Sequence, residues 1–164
     1  MRRIGFVVNP VAGMGGSVGL KGTDGNSTEA LNRGAVPHAG ERAQAALKQI
    51  PRNGITFLTC SGKMGEDILR AVGIAAFLVI AHPLQVTTAD DTNCACRKFL
   101  DEGVDLILFC GGDGTARDVF DAVGSRVPIL GIPAGVKMFS AVFAIDPAAA
   151  GAVVAGAGTL PARR

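Results

Sequence analysis

The stretch LILFCGGDGTARDV, residues 106–119, decides both the fold class and the position of the candidate site. It begins with a continuous apolar run of strand length, passes through Gly111-Gly112-Asp113-Gly114-Thr115 and continues directly into a helical pattern. A buried strand that leads through glycines into a helix brings unpaired backbone N–H groups and the positive end of the helix dipole together. The stretch therefore predicts a cradle for a phosphate group.

Asp113 lies in the middle of this cradle. A carboxylate repels phosphate unless a divalent cation lies between them or the acid faces a different reactant. We therefore predict that Asp113 is either a metal ligand or a base directed at an acceptor hydroxyl. Phosphoryl transfer depends on positioning, charge neutralisation and an oriented nucleophile, and a carboxylate beside a glycine cradle provides the last two.

The alternative interpretation of residues 111–115 is a tight turn that only starts a helix. In that case Thr115 is the N-cap residue and Asp118 completes a capping box. We expect Thr115 to cap the helix under either interpretation. Three glycines around one acid exceed what a turn requires, so the sequence favours a functional loop.

The rest of the chain repeats the order of strand and then helix. Apolar runs of strand length alternate with segments of helix length, and their continuity predicts strands that are buried on both faces. The predicted strands are residues 3–9, 55–59, 75–80, 106–110 and 129–132, and the predicted helices are 41–49, 65–72, 89–102 and 116–123. The sequence thus predicts one α/β nucleotide-binding domain over residues 1–164, with a mainly parallel sheet and helices on both faces. The loops that follow the strands should meet at one edge, where ligands bind.

Local signals predict where two helices begin and end. Thr88 followed by Asp91 is typical of a helix start, and Gly103 is placed to end the same helix. Asp146-Pro147 is typical of an N-cap and a first helical residue, and it introduces an alanine-rich helix.

The loop after the first strand is unusually long and rich in glycine. Residues 10–28 contain six glycines and match neither a complete GxGxxG pattern nor a phosphate-binding GK[ST] motif. Such a loop is either functional or a flexible insertion. Asn9, at its start, should lie at the same edge as Asp113, where its amide could bind a phosphate, bind the glycine-rich loop or simply form a turn.

The composition excludes several classes of function. Lys and Arg number 16 against 14 Asp and Glu, and the net charge of +2 leaves no broad electrostatic surface for nucleic acid or an anionic membrane. The longest strongly apolar run, residues 71–81, is too short for a span of about 20 residues. The amino terminus also lacks the pattern of a secretory signal. We therefore expect a cytoplasmic protein that binds nucleotides, and we leave open whether it forms a homo-oligomer.

Four blocks of sequence together resemble the ATP-NAD kinase family, specifically its acetoin catabolism protein X-like branch. The blocks are NPVAGMGG at 9–16, GLKGTDG at 19–25, GGDGTARD at 111–118 and GIPAGVKM at 131–138. The GGDGT element alone is shared with diacylglycerol and sphingosine kinases. The other three blocks favour the NAD kinase side.

The resemblance implies an amino-terminal domain like that of phosphofructokinases. It also implies transfer of the γ-phosphoryl group of ATP to the 2′-hydroxyl of NAD, giving NADP, with a divalent cation such as Mg²⁺. By similarity, Asp113 is the catalytic residue that accepts the proton of that hydroxyl or orients the hydroxyl. Gly111, Gly112, Gly114 and Thr115 are expected to contact phosphates.

Two lysines are placed by their loops to reach phosphate. These are Lys21 in the first loop and Lys137 in the fourth block, and each is alternatively a solvated surface lysine. We include both, with Asn9, among the candidate nucleotide-binding residues.

The sequence departs from the family pattern in one respect. Family members continue into a second, β-rich domain that carries an Asn-Glu or Asn-Asp pair for NAD, whereas none of the five asparagines here is followed by an acid. We therefore expect a fragment or truncated product, or a domain that binds nucleotide without turnover. A lipid kinase relative is a further alternative, and it predicts an apolar acceptor.

The four cysteines show no metal-binding spacing. Two of them fall inside apparent strands, while Cys94 and Cys96 are two positions apart on a predicted helix and should point to different sides. We predict reduced thiols rather than disulfides.

Overall fold

A computed structural model describes residues 1–13, 38–84, 87–135 and 138–157 of the chain. Lys21, Lys137 and the part of the 10–28 loop that follows Gly13 lie outside the described residues. The described residues form five strands: β1 Arg2–Val8, β2 Ile55–Cys60, β3 Phe77–Ala81, β4 Leu106–Gly111 and β5 Ile129–Pro133. They also form five α-helices: α1 Ala39–Leu47, α2 Glu66–Ala71, α3 Ala89–Asp101, α4 Asp113–Val123 and α5 Pro147–Ala157, with a short 3₁₀ helix at Gly62–Met64.

The five strands form one parallel sheet in the order β3-β2-β1-β4-β5. Parallel sheets are normally covered on both faces, and this requires the continuous apolar runs seen in the sequence. The predicted α/β fold is therefore confirmed. Three predicted segments are displaced along the chain by one or two residues: β1, β3 and α1 were predicted at 3–9, 75–80 and 41–49.

Each face of the sheet has its own hydrophobic core. Alternate residues of one strand enter opposite cores, so that Phe6 and Val8 lie on one face and Val7 on the other. Helices α1, α2 and α5 cover the first face, and α3 and α4 cover the second. The helices therefore lie on both sides of the sheet, as predicted.

The strand order reverses between β1 and β4. The chain proceeds from β1 outward to β2 and β3, and α3 then returns it to β4 on the other side of β1. Val8 pairs with Cys110, so the carboxyl ends of β1 and β4 are adjacent. Connections that diverge in this way leave a crevice at the carboxyl ends of the two strands, where ligands of open α/β sheets bind.

The predicted starts of α3 and α5 are confirmed. The backbone N–H of Thr88 donates to Oδ2 of Asp91 at 2.8 Å, and the N–H of Ala149 donates to Oδ1 of Asp146 at 2.7 Å. Gly103 follows α3 with a φ of +69°, a conformation that favours glycine after a helix.

The prediction that Thr115 caps α4 is wrong. The helix begins at Asp113, and the N-cap residue is Gly112, which has an extended backbone with φ −109° and ψ −166°. Because Gly112 leaves the strand in this conformation, the helix begins two residues before Thr115. Thr115 therefore lies inside the first turn of the helix, and it is not the N-cap residue that the predicted capping box requires.

Removal of the Asp91 carboxylate should destabilise the fold. Asp91→Ala loses the bond to the Thr88 N–H, and we expect the free energy of unfolding to fall by about 1 kcal/mol in urea denaturation. Asp90→Ala is the matched control, because Asp90 also lies in the first turn of α3. Equal losses in the two variants would contradict a specific role for the bond to Thr88.

Candidate active site

The turn between β4 and α4 lies at the crevice between β1 and β4. The first N–H groups of α4 have no partner within the helix, and they point toward the end of the sheet with the positive end of the helix dipole. A Cβ at Gly111 would collide with the side chain of Thr115, which folds back over the strand end. Only glycine fits at position 111, because a side chain there would need the space that Thr115 occupies.

Asn9 connects the two strands across this crevice. Its backbone N–H donates to the carbonyl of Cys110 at 2.9 Å, and its side-chain Nδ2 donates to Oγ1 of Thr115 at 3.1 Å. Its Oδ1 accepts the N–H of Val11 at 3.2 Å, as in an Asx turn. The amide of Asn9 thus holds both its own loop and the first turn of α4. Contact with the glycine-rich turn is one of the three roles that the sequence allowed for the amide of Asn9.

Thr115 faces inward from the first turn of α4. The residue is only 4 % exposed, and its hydroxyl is the acceptor for Asn9. Contact between Thr115 and a phosphate would therefore use the backbone N–H. The side chain fixes α4 against the end of β1.

Asp113 accepts hydrogen bonds from a segment that follows β5. The N–H of Phe139 lies 3.0 Å from Oδ1 and 3.1 Å from Oδ2, while the N–H and Oγ of Ser140 each lie 2.9 Å from Oδ1. Partial burial raises the pKa of Asp113, but these hydrogen bonds and the positive charge of Arg117 lower it more, so the pKa falls below the ordinary value of 3.8. The carboxyl group is therefore ionised at neutral pH and is a weak proton acceptor.

An open groove of about 570 Å³ lies beside Asp113. Its lining combines one acid, one base and several apolar side chains, and the aromatic rings of Phe120 and Phe139 are 57 % and 84 % exposed. The lining residues are Asp113, Ala116, Arg117, Phe120, Ile129, Phe139, Ser140 and Val142. The groove can accept a ligand with a flat or apolar part and a hydroxyl near Asp113.

Met138 lies against the glycine turn from the other side. A Cβ at Gly112 would be 3.3 Å from its Sδ, and a Cβ at Gly135 would be 3.0 Å from its Cε. The segment 138–140 therefore contacts both the glycine turn and the carboxylate that follows it.

The structure brings together most of the residues that the sequence singled out. Asn9 and residues 111–115 meet at the ends of β1 and β4, whereas Lys21 and Lys137 lie outside the described residues. Sequence reasoning missed Phe139 and Ser140, although the fourth family-like block ends only one residue before them. Their place after β5, at the same edge of a parallel sheet, was the available signal.

The four cysteines are not paired in disulfides. Cys60, Cys96 and Cys110 are buried, Cys94 is exposed, and all four are free thiols. Burial is the main cause that raises the pKa of each buried thiol to about 12, which makes these groups unreactive.

Within the described ranges, no three His, Cys, Asp or Glu side chains are grouped to hold a metal ion. None of the helices in this part of the chain is long and apolar enough to span a bilayer.

The fold and the site together define a doubly wound parallel α/β domain with a glycine-rich turn at the point where the strand order reverses. This arrangement is typical of nucleotide-binding proteins. A family model described as ATP-NAD kinase N-terminal domain matches residues 4–157, so the chain belongs to the ATP-NAD kinase family. The match does not distinguish branches, and the acetoin catabolism protein X-like branch stays a prediction. No curated protein matches the chain.

The bond between Asn9 and Thr115 should contribute to stability. We expect Asn9→Ala to lower the free energy of unfolding by about 1–2 kcal/mol, because it removes two side-chain hydrogen bonds at a partly buried position. Asn53→Ala is the control, since Asn53 is exposed in the turn before β2. A loss in Asn9→Ala no larger than in the control, measured in urea, would show that the bond contributes nothing.

The lowered pKa of Asp113 also predicts a pH dependence of stability. Since the folded pKa lies below the ordinary value of 3.8, the ionised group stabilises the fold above that pH, and this contribution is lost as the pH falls through the folded pKa. The stability difference between the wild type and Asp113→Asn should stay constant from about pH 7 to about pH 5 and shrink below about pH 4. Urea denaturation of both proteins across this pH range tests the prediction. A stability difference between them that does not change with pH would contradict an ionised, hydrogen-bonded carboxylate at Asp113.

Proposed function

We propose that this domain takes part in transfer of the γ-phosphoryl group of ATP to the 2′-hydroxyl of NAD, giving ADP and NADP. The observation that carries the proposal is the hydrogen-bonded carboxylate of Asp113 at the first position of α4, beside a glycine turn whose first N–H groups have no partner within the helix. An anion-binding turn and an acceptor for a hydroxyl proton thus lie within one helical turn. Membership of the ATP-NAD kinase family supports the choice of NAD as acceptor.

The glycine turn accounts for binding of the nucleotide phosphates. The N–H groups at the start of α4 are hydrogen-bond donors, and Gly112 and Gly114 carry no side chain that would hold a phosphate away from the backbone. Gly111 contributes differently, since it leaves space for the side chain of Thr115. The dipole of an 11-residue helix adds a partial positive charge at the same point. Asn9 contributes by fixing Thr115, and so the orientation of the first turn.

Asp113 accounts for orientation of the acceptor. In the reaction, the 2′-oxygen of NAD bonds to the γ-phosphorus, the bond from that phosphorus to the bridging oxygen breaks, and ADP leaves. The hydroxyl proton passes to Asp113 and from there to solvent. Because the pKa of Asp113 is low, its main contribution is to hold the hydroxyl in line for attack, and the loose transition state of phosphoryl transfer requires little more of a base.

A Mg²⁺ ion fits this site as a companion of ATP. Mg²⁺ commonly keeps several waters and binds substrate phosphates with one or two carboxylates, so it needs no cage of protein ligands. The described residues provide no such cage, and they are compatible with an ion carried on the nucleotide phosphates. When bound, the ion would neutralise phosphate charge next to Asp113, and we assign Asp113 itself to the hydroxyl.

The apolar groove favours one second candidate. Phe120 and Phe139 are both more than half exposed beside Asp113, and an apolar lipid acceptor would also cover them. Phosphorylation of diacylglycerol or a sphingoid base in place of NAD would establish that function. ATP binding measured by calorimetry, with no phosphorylated product from any acceptor, would instead identify a nucleotide-binding module without turnover.

The decisive variant is Asp113→Asn. With ATP, Mg²⁺ and NAD, we expect its rate of NADP formation to fall by about 10²–10⁴-fold, while calorimetry shows ATP binding largely retained. Asp121→Asn is the matched control, because Asp121 is an exposed acid near the other end of the same helix. An unchanged rate in Asp113→Asn would reject the assigned role, and no NADP from the wild-type chain would reject turnover by this chain alone.

A further inference from the structure

The two carboxylate oxygens of Asp113 are not equally occupied. Oδ1 accepts three hydrogen bonds, from the N–H of Phe139, the N–H of Ser140 and the Oγ of Ser140, at 2.9–3.0 Å. Among the described residues, the one donor to Oδ2 is the shared N–H of Phe139, at 3.1 Å. Each carboxylate oxygen can accept about two bonds in good geometry. Oδ1 is therefore saturated, and the described part of the chain leaves room for one more donor at Oδ2.

The donors to Asp113 belong to a segment that is fixed to the sheet. The N–H of Gly131 donates to the carbonyl of Val142 at 2.9 Å, and the N–H of Ala144 donates back to Gly131 at 3.1 Å. These bonds attach the segment to β5, an edge strand of the sheet. The N–H of Phe143 donates to the carbonyl of Ser140 at 3.3 Å, which closes a turn just before this attachment.

The ring of Phe143 anchors this turn in the core. It packs edge-on against Phe109 with ring centroids 5.4 Å apart, and Phe109 is fully buried. A Cβ at Gly131 would lie 2.5 Å from the ring of Phe143, so a glycine at this position makes the close approach possible. Phe139, in contrast, is 84 % exposed, and its ring contributes little to holding the segment. The position of Ser140 is therefore set by the core through Phe143.

We propose that Ser140 is a positioning residue for Asp113: its Oγ and N–H hold Oδ1, so that Oδ2 is the oxygen left for the hydroxyl of the acceptor. This role rests on the proposed phosphoryl transfer. Among the described residues, Ser140 is the one side chain that donates a hydrogen bond to Asp113. Without the hydroxyl of Ser140, the Asp113 carboxylate is held by backbone donors alone. Oδ1 then accepts one hydrogen bond fewer, and the difference in hydrogen bonding between Oδ1 and Oδ2 becomes smaller.

The test compares Ser140→Ala with Ser140→Thr, which keeps the hydroxyl. Titration of the ¹³C-labelled Asp113 carboxyl by NMR measures the contact without any need for turnover. We expect Ser140→Ala to raise the pKa of Asp113 toward its ordinary value, since a hydrogen bond to the charged form is lost, and Ser140→Thr to restore the wild-type titration. Ser125→Ala is the matched control, because Ser125 is an exposed serine beyond the far end of α4.

Kinetics separate positioning from a purely structural role. With ATP, Mg²⁺ and NAD, we expect Ser140→Ala to lower kcat for NADP formation by about tenfold, with the KM for ATP changed by less than about twofold and with recovery in Ser140→Thr. An Asp113 titration and kcat in Ser140→Ala equal to those of the wild type would overturn the proposal. A shifted titration in a chain that makes no NADP would instead refute the proposed function while supporting the hold of Ser140 on Asp113.

Discussion

The parallel pairing of β1 with β4 is the constraint on which the candidate site depends. It places the end of β1 beside the end of β4, although more than 90 residues of chain separate them. Asn9 then bonds to Thr115, and the first turn of α4 is held against the neighbouring strand. Without this pairing, the glycine turn would be an ordinary connection between a strand and a helix. The crevice that makes it a candidate binding site is a property of the strand order.

Asp113 resolves an electrostatic conflict within this crevice. A carboxylate at the start of a helix is favoured by the helix dipole, but it competes with an incoming phosphate for the same positive potential. The bonds from Phe139 and Ser140 hold the carboxylate toward the segment after β5, beside the groove. In the function that we propose, the phosphates use the backbone of the turn and the acceptor uses the carboxylate. The segment 138–140 therefore has a part in separating the two reactants.

The sequence predicted the features that depend on near neighbours. Continuous apolar runs predicted the strands, the Thr88–Asp91 pair predicted the start of α3, and the glycines around Asp113 predicted the turn at the strand end. The N-cap role of Thr115 was wrong because Gly112 has an extended backbone that lets the helix begin earlier, and a side-chain pattern does not report that conformation. The bonds from Ser140 to Asp113 were not predicted, since they join residues from different loops and depend on the anchoring of Phe143 in the core.

The packing at Gly111 distinguishes the residues of the GGDGT motif that the fold requires from those that the proposed reaction requires. Thr115 occupies the space that a side chain at position 111 would need, so the fold itself demands this glycine. A relative that had lost its substrate would keep Gly111 as long as it kept the turn. Asp113 and Ser140 are only partly buried, and both line the open groove. Comparison of sequences within the family should therefore weigh the joint presence of an acid at 113 and a hydroxyl at 140, because that pair lines the groove, whereas Gly111 reports only on the turn.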